Sequence, residues 1–426
     1  MSDHNEALIQ ARYRRLFGWR AGYLPRDQPH LHEWQRGLKA TVAAHATDGK
    51  RRASPAVNGL RRLFETDPTV RMYVSQMIEQ VPDANKSVHS VEELFRQLEH
   101  VVDSAPLYNA DPNKRNAFPM SALFVYMMMT PAGEAVFRND RFVKGIKSVL
   151  QEWCAYLDSP PSAHVLNVGE FGWLSPFSYQ DYRLYEFISQ PALPHWGWVS
   201  YNDFFHRKIK PSARPVGEPD NPKAIVSAND GHIVSIARGV KRMDRFWAKE
   251  EWFSLVDMLD DSEHVDRFVG GYVFQSFLSG ANYHRWHSPI DGVVRETRVV
   301  DGLLFSEAES AGADVHADVL SEGYDACVNT RGLVFIESPD PAIGMVCVVP
   351  VGMTEVSSVT INVKAGDKLR KGDELGYFSY GGSSLCLVFQ PGSINHFTVP
   401  MPPPLPVVDP TGGPAIQVNA QIAVAN

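Results

Sequence analysis

The sequence predicts an α+β protein, with a helical N-terminal domain over residues 1–190 and a β-rich domain over 191–426. Three observations carry this. Apolar residues recur at helical spacing in the first part, short β-branched and aromatic runs punctuated by Gly and Asp fill the second, and a proline-rich stretch lies between them.

In the first part, Ser90 followed by Glu93 has the spacing of a capping box. Val91, Leu94, Phe95, Leu98, Val101 and Val102 then fall on one helical face. Residues 120–129, Met-Ser-Ala-Leu-Phe-Val-Tyr-Met-Met-Met, are the most apolar stretch and are stopped by Thr130-Pro131. Crossing a bilayer takes about 20 residues, so this run reads as a buried helix, with its methionines as core filler rather than metal ligands. A second stripe of Val136, Phe137, Val143, Ile146, Val149, Leu150 and Trp153 reads as one further helix. Pro160, Pro161, Pro176, Pro191 and Pro194 mark a connector. Beyond it, Gly271-Tyr272-Val273-Phe274, Gly292-Val293-Val294, Gly332-Leu333-Val334-Phe335-Ile336 and Met345-Val346-Cys347-Val348-Val349 read as strands. No fixed-period repeat appears, and the proline-rich tail over 399–406 reads as an extended surface wrap.

A chain of 426 residues with 44% hydrophobic content is long enough for two domains with buried cores. Forty-one basic against 49 acidic residues give a net charge of −8, with no basic block to grip nucleic acid or anionic lipid. No nucleic-acid partner and no stable membrane anchor are expected; homo-oligomerisation is left open. The polar opening Met1-Ser2-Asp3-His4-Asn5-Glu6 and four cysteines without pairing or ligand spacing point to a reducing compartment, the cytoplasm.

Near the C-terminus stands Gly381-Gly382-Ser383-Ser384, between a strand-like run holding Leu375, Tyr377 and Phe378 and another holding Leu385, Leu387, Val388 and Phe389. A Gly-Ser bond held in a tight turn is where a chain can cut itself. The serine hydroxyl attacks the preceding carbonyl, and glycine tolerates the backbone strain this needs. Elimination from the resulting ester and loss of ammonia leave a pyruvoyl ketone, which condenses with a substrate amine and accepts electrons from a breaking Cα–carboxylate bond. Glycine–serine clusters are for the most part simple turns, so the motif needs support.

Two upstream segments supply it. Tyr283-His284-Arg285-Trp286-His287-Ser288-Pro289-Ile290-Asp291-Gly292 offers two histidines, and Ser227-Ala228-Asn229-Asp230-Gly231-His232 an acid in a turn. Serine attack needs a base, and the base an orienting carboxylate. Asp230, a histidine of the pair and Ser383 would provide all three. Read instead as ordinary turn residues, Asp230 and Asp291 carry no chemistry; read as zinc ligands, the two histidines lack a third partner. No metal site is expected.

These segments together resemble the phosphatidylserine decarboxylase family of pyruvoyl enzymes, which carries Tyr-His-Arg-x-His-x-Pro, an upstream Asp-Gly turn and Leu-Gly-Ser-Thr at its self-cleavage site. Tyr201-Asn202-Asp203-Phe204-Phe205-His206-Arg207 with Arg214-Pro215, Lys371-Gly372-Asp373-Glu374-Leu375-Gly376 and Phe389-Gln390-Pro391-Gly392 extend the likeness over about 198–395. The resemblance implies that Ser383 is the pyruvoyl precursor, that the Gly382-Ser383 bond is cut and the two chains stay associated, that Asp230 and His287 serve the cleavage, and that His284 serves decarboxylation. Gly381 and Ser384 stand where the family has Leu and Thr.

The tract from Tyr126 to Trp153, Gly-Gly-Ser-Ser at the cut and Gly352-Met353-Thr354-Glu355 are similar to the fungal L-tryptophan decarboxylases of this family. This implies an amino acid substrate, tryptophan first, with Met353 and Glu355 near the pocket; phosphatidylserine is the alternative. A non-enzymatic carrier of lipoyl type would need an exposed lysine in a tight hairpin. Neither Lys364 nor Lys371 has that signature.

Overall fold

A computed structural model describes residues 24–25, 27–45, 53–244, 253–278, 283–306, 321–355, 358–380, 382–402 and 413–426. The polar opening, Gly381 and Pro403, Pro404 and Pro406 of the tail lie outside the described residues. The architecture is α+β. Of the described residues, those up to 183, 189–204 and 303–306 form one compact unit, and 184–188, 205–302 and 321–426 form the other.

The first unit is helical. Its elements are α1 (Gln28–His45), α2 (Pro55–Thr66), α3 (Pro68–Glu79), α4 (Val91–Val102), α5 (Pro119–Met128), α6 (Pro131–Val136) and α7 (Asp140–Leu157). Three of them, α2, α3 and α6, begin on a side-chain cap followed by proline, which fits the first turn because its missing N–H would be unpaired there. Ser54 accepts from Val57 N–H, and Asp67 ends α2 and caps α3 through Thr69 and Val70 N–H. In α4 the Ser90 hydroxyl accepts from Glu93 N–H, as expected. The return arm of the box reaches one residue further, since Glu93 Oε2 accepts from His89 N–H at 3.0 Å. Leu94, Phe95, Leu98, Val101 and Val102 are buried, together with Gln97; Val91 is half-buried.

Every residue of α5 from Met120 to Met128 is buried. No helix among the described residues is long and apolar enough to cross a membrane. The stripe read as one helix from Val136 to Trp153 is two. Asn139 interrupts it, its side chain accepting from Arg141 and Phe142 N–H to start α7 afresh. The stretch expected as a connector is packed rather than open. Trp173 there donates to Pro106 O at 2.7 Å, and its ring meets those of Tyr108, Tyr182 and Tyr201.

The second unit holds β1 (Ala224–Val226), β2 (Gly231–Arg238), β3 (Tyr272–Leu278), β4 (Arg285–His287), β5 (Gly292–Val300), β6 (Arg331–Glu337), β7 (Met345–Met353), β8 (Val359–Ile361), β9 (Lys368–Leu369), β10 (Glu374–Phe378), β11 (Gly382–Phe389), β12 (Ile394–Phe397), β13 (Ala415–Ile416) and β14 (Gln421–Ala425). An antiparallel sheet of order β13-β2-β3-β11-β7-β6-β5-β9 forms its centre, with two three-stranded sheets, β1-β14-β12 and β4-β10-β8.

Alternation along β11 sorts its side chains between two cores. Leu385, Leu387 and Phe389 pack with Trp286, Leu375, Phe378 and Ile422 of the small sheets. Cys386 and Val388 pack toward three short helices, α8 (Leu255–Met258), α9 (Val265–Phe268) and α10 (Glu322–Val328). Strands covered on both faces read as unbroken apolar runs, as β7 does.

Candidate active site

The Gly382–Ser383 bond lies at the start of β11, just past the segment that brings the chain over from β10. It was expected within the turn itself; it is the first bond of the strand after it. Ser383 pairs with Leu278 of β3 on one side and Gly352 of β7 on the other, while Gly382 pairs with Met353. Strand pairing on both sides holds the backbone rigid. Ser383 is fully buried, and its hydroxyl has no hydrogen-bond partner among the described residues. Leaving a buried hydroxyl unpaired costs about 1–3 kcal/mol, so such a group asks for a reason.

By alternation with Leu385, Ser383 faces the small sheets. His287 closes β4 opposite Glu374 of β10. Its Nδ1 lies 2.7 Å from Gly372 O, and its Nε2 lies 3.0 Å from the Tyr283 hydroxyl. Burial holds its pKa below the ordinary histidine value of 6.5, against the opposing hydrogen bond that the ring donates to Gly372 O. His284 is fully buried, its ring stacked at 3.9 Å on Phe205, which meets Tyr380 edge-on at 5.3 Å. Its backbone O accepts from Phe378 N–H at the end of β10, just ahead of the cut.

Asp230 immediately precedes β2. His232 of that strand and Ser384 of β11 both face Phe277 of β3, so Asp230 and Ser383 share one end of the sheet about two strand spacings, roughly 10 Å, apart. The carboxylate accepts from Arg214 Nε at 3.0 Å and Nη2 at 2.7 Å, and from Val418 N–H at 2.8 Å. Arg214 in turn donates to Glu186 at 2.8 Å. Burial alone would lower the Arg214 pKa, but Asp230 and Glu186 raise it.

The hydrogen bonds of an Asp230–His287–Ser383 relay are therefore not made in this arrangement. The guanidinium fork matches the carboxylate in bidentate geometry and occupies it, and both nitrogens of His287 are engaged by Gly372 and Tyr283. The chain brings the three groups to one region without joining them.

Sequence reasoning missed the partners of Ser384. That hydroxyl lies 3.2 Å from Glu322 Oε2 and from Ser276 O, and accepts from Gln275 Nε2 at 2.9 Å. Glu322 is fully buried at the start of α10. The local hint was Gln275-Ser276, two polar residues inside a buried apolar strand. Met353 sits beside the cut, but on the Ser384 face with Val349 and Val351. Glu355 lies just beyond β7, buried, accepting from the Thr354 hydroxyl at 3.3 Å.

Lys371 is buried, its ammonium donating to Glu218, Asn221 and Ala224 O at 2.8–3.0 Å. Its pKa is lowered by burial. It braces the turn that presents Gly372 O to His287. Among the described residues no group of three or more His, Cys, Asp or Glu side chains is placed to hold a metal ion.

Residues 201–401 match the sequence profile of phosphatidylserine decarboxylase, and 54–182 match a second profile of the same description. The decarboxylase iboD of Amanita muscaria is 38% identical over 293 residues, covering 64% of this chain and 84% of that one. An L-tryptophan decarboxylase of Psilocybe cubensis is 28% identical over 356 residues, covering 78% and 79%. A phosphatidylserine decarboxylase proenzyme of Chlamydia pneumoniae is 31% identical over 242 residues, covering 55% and 76%. With a relative this similar matched along most of its length and both profiles in register with the fold, the chain belongs to the phosphatidylserine decarboxylase family and is a carboxy-lyase.

Proposed function

We propose that this chain is the proenzyme of a pyruvoyl-dependent decarboxylase, cut at Gly382–Ser383, whose substrate is a free aromatic L-amino acid, L-tryptophan first. One observation carries the maturation step: a buried Ser383 hydroxyl without a partner among the described residues, next to a glycine carbonyl, at the head of a doubly paired strand. Those features fit a pyruvoyl precursor.

In the cut, Ser383 Oγ bonds to the Gly382 carbonyl carbon as the C–N bond breaks; a base, the role given to His287, takes the Oγ proton and passes it to the departing Ser383 nitrogen. Loss of the Ser383 Cα proton then breaks the Cβ–Oγ bond and frees the Gly382 carboxylate. Water replaces the amine nitrogen, which departs as ammonia. The pyruvoyl carbonyl so formed supplies an electron sink for the pair released when a substrate loses carbon dioxide. His284, buried beside β10 against Phe205, is assigned to proton transfer in turnover, and Asp230 with Arg214 to the electrostatics of the cut. The β-rich region from 191 onward carries the catalysis, and the helical region 1–190 is an accessory domain. A cytoplasmic setting fits the four free cysteines.

Support for an amino acid comes from the reach of the similarity. A match covering 78% of the chain runs well into the helical region, and the relative that makes it is named a tryptophan decarboxylase. An indole in an apolar slot contributes about 2–3 kcal/mol of binding. Phosphatidylserine is the second reading, on the printed names of the bacterial relatives.

Purified protein incubated with a panel of amino acids and with phosphatidylserine vesicles, with carbon dioxide release as readout, tests the substrate. Tryptamine from tryptophan without vesicles is expected; turnover confined to vesicles reverses the order. Ser383→Ala should remain one chain and inactive. A cleaved, active Ser383→Ala protein would sink the maturation chemistry.

A further inference from the structure

Resting on His287 as the base of maturation, we propose that Tyr283 is a positioning residue: its hydroxyl, held on Nε2 of His287, keeps that ring neutral with its proton on Nδ1. Gly372 O, 2.7 Å from Nδ1, is a carbonyl and only accepts, so Nδ1 carries the hydrogen. A neutral ring then has a lone pair on Nε2, and the phenol 3.0 Å away donates to it.

Every charged group around the ring has another commitment. Glu374, opposite His287 on β10, is paired with Arg285 at 2.7 Å, and Asp230 is clamped by Arg214. Among the described residues no carboxylate touches the imidazole, so a carboxylate does not choose its tautomer. That choice falls to Gly372 O and Tyr283.

Both partners are themselves fixed. Tyr283 is buried with its ring at 6.2 Å from Phe187, and the Arg207 guanidinium sits 4.0 Å over Phe187. Gly372 has φ +89°, its N–H donates to Ser288 O at 2.9 Å, and a Cβ there would come within 2.7 Å of Val216. The positive φ strains any other residue here, so the turn favours glycine, and it aims one carbonyl at one nitrogen. Burial, which disfavours the imidazolium, acts in the same direction.

Removing the donor from Nε2 weakens the neutral form. In Tyr283→Phe, self-cleavage should therefore need higher pH: its acid limb moves up by about one unit, a roughly tenfold slower cut on that limb with recovery at alkaline pH. The His287 titration midpoint, read by NMR in the uncleaved Ser383→Ala protein with and without Tyr283→Phe, should move upward with it. Slower cleavage with an unmoved midpoint and unmoved profile overturns the proposal, because loss of packing alone does that. Ring ¹⁵N shifts in Ser383→Ala protein that retains Tyr283 give an answer even where the phenylalanine variant does not fold. A proton on Nδ1 supports the proposal; one on Nε2 overturns the role of Tyr283 alone. Wild-type processing by His287→Ala instead overturns the base assignment, and the two failures are told apart by which measurement gives way.

Discussion

Ser383 and Ser384 are chemically the same residue in opposite surroundings. The first hydroxyl has no partner among the described residues, while the second is held by Gln275, Ser276 and Glu322 on the other face of the sheet. One is free to react; the other is a structural tie. Ser384→Ala should cut normally yet unfold at lower urea, because Gln275 and the buried Glu322 each lose a partner, at about 1–3 kcal/mol. A gel and an unfolding curve on the same sample decide it: an uncut Ser384→Ala protein would make the wrong serine the nucleophile. At this scale the reactive types were legible in the sequence, since a Gly-Ser pair, two histidines and an acid each advertise their chemistry. Their contacts were not. Arg214 reaches Asp230 and Gly372 reaches His287 only through the fold, and no local pattern announces a carbonyl or a guanidinium as a partner.

At the scale of elements, caps and alternation explain what could be read. The strands of the central sheet announce themselves because burial on both faces demands continuous apolar sequence, as in Met345–Met353. The two-residue strands Lys368–Leu369 and Ala415–Ile416 have no pattern of their own and exist through their neighbours' hydrogen bonds. The false single helix across Val136–Trp153 shows the complementary limit. Apolar spacing continued through Asn139, but that side chain satisfies two N–H groups and so restarts the helix. Ser90 does the same for α4, where it is the side-chain acceptor for Glu93 N–H. Ser90→Ala should lower stability by about 1 kcal/mol, seen as a drop in melting temperature with processing unaffected. An unchanged melting temperature would mean that water replaces the cap at no cost.

At the scale of the whole molecule, the proposed cut raises a question of integrity, because it severs the chain at the head of the strand in the middle of the main sheet. The piece from 383 to 426 would then carry β11, β12, β13 and β14. Each of these is paired with the rest of the chain or with a strand that is: β11 with β3 and β7, β13 with β2, β14 with β1, and β12 with β14. Along β11 alone, Leu385, Leu387, Val388 and Phe389 are fully buried, and each contributes about 1.5–3 kcal/mol. Breaking one peptide bond removes none of these contacts. The two chains should therefore co-elute in gel filtration after processing and separate only in denaturant, with unfolding in this unit still a single transition. A C-terminal piece that leaves under native conditions would show that the strand pairing across β11 does not hold the processed molecule, and the cut would then have to be followed by a rearrangement of the central sheet.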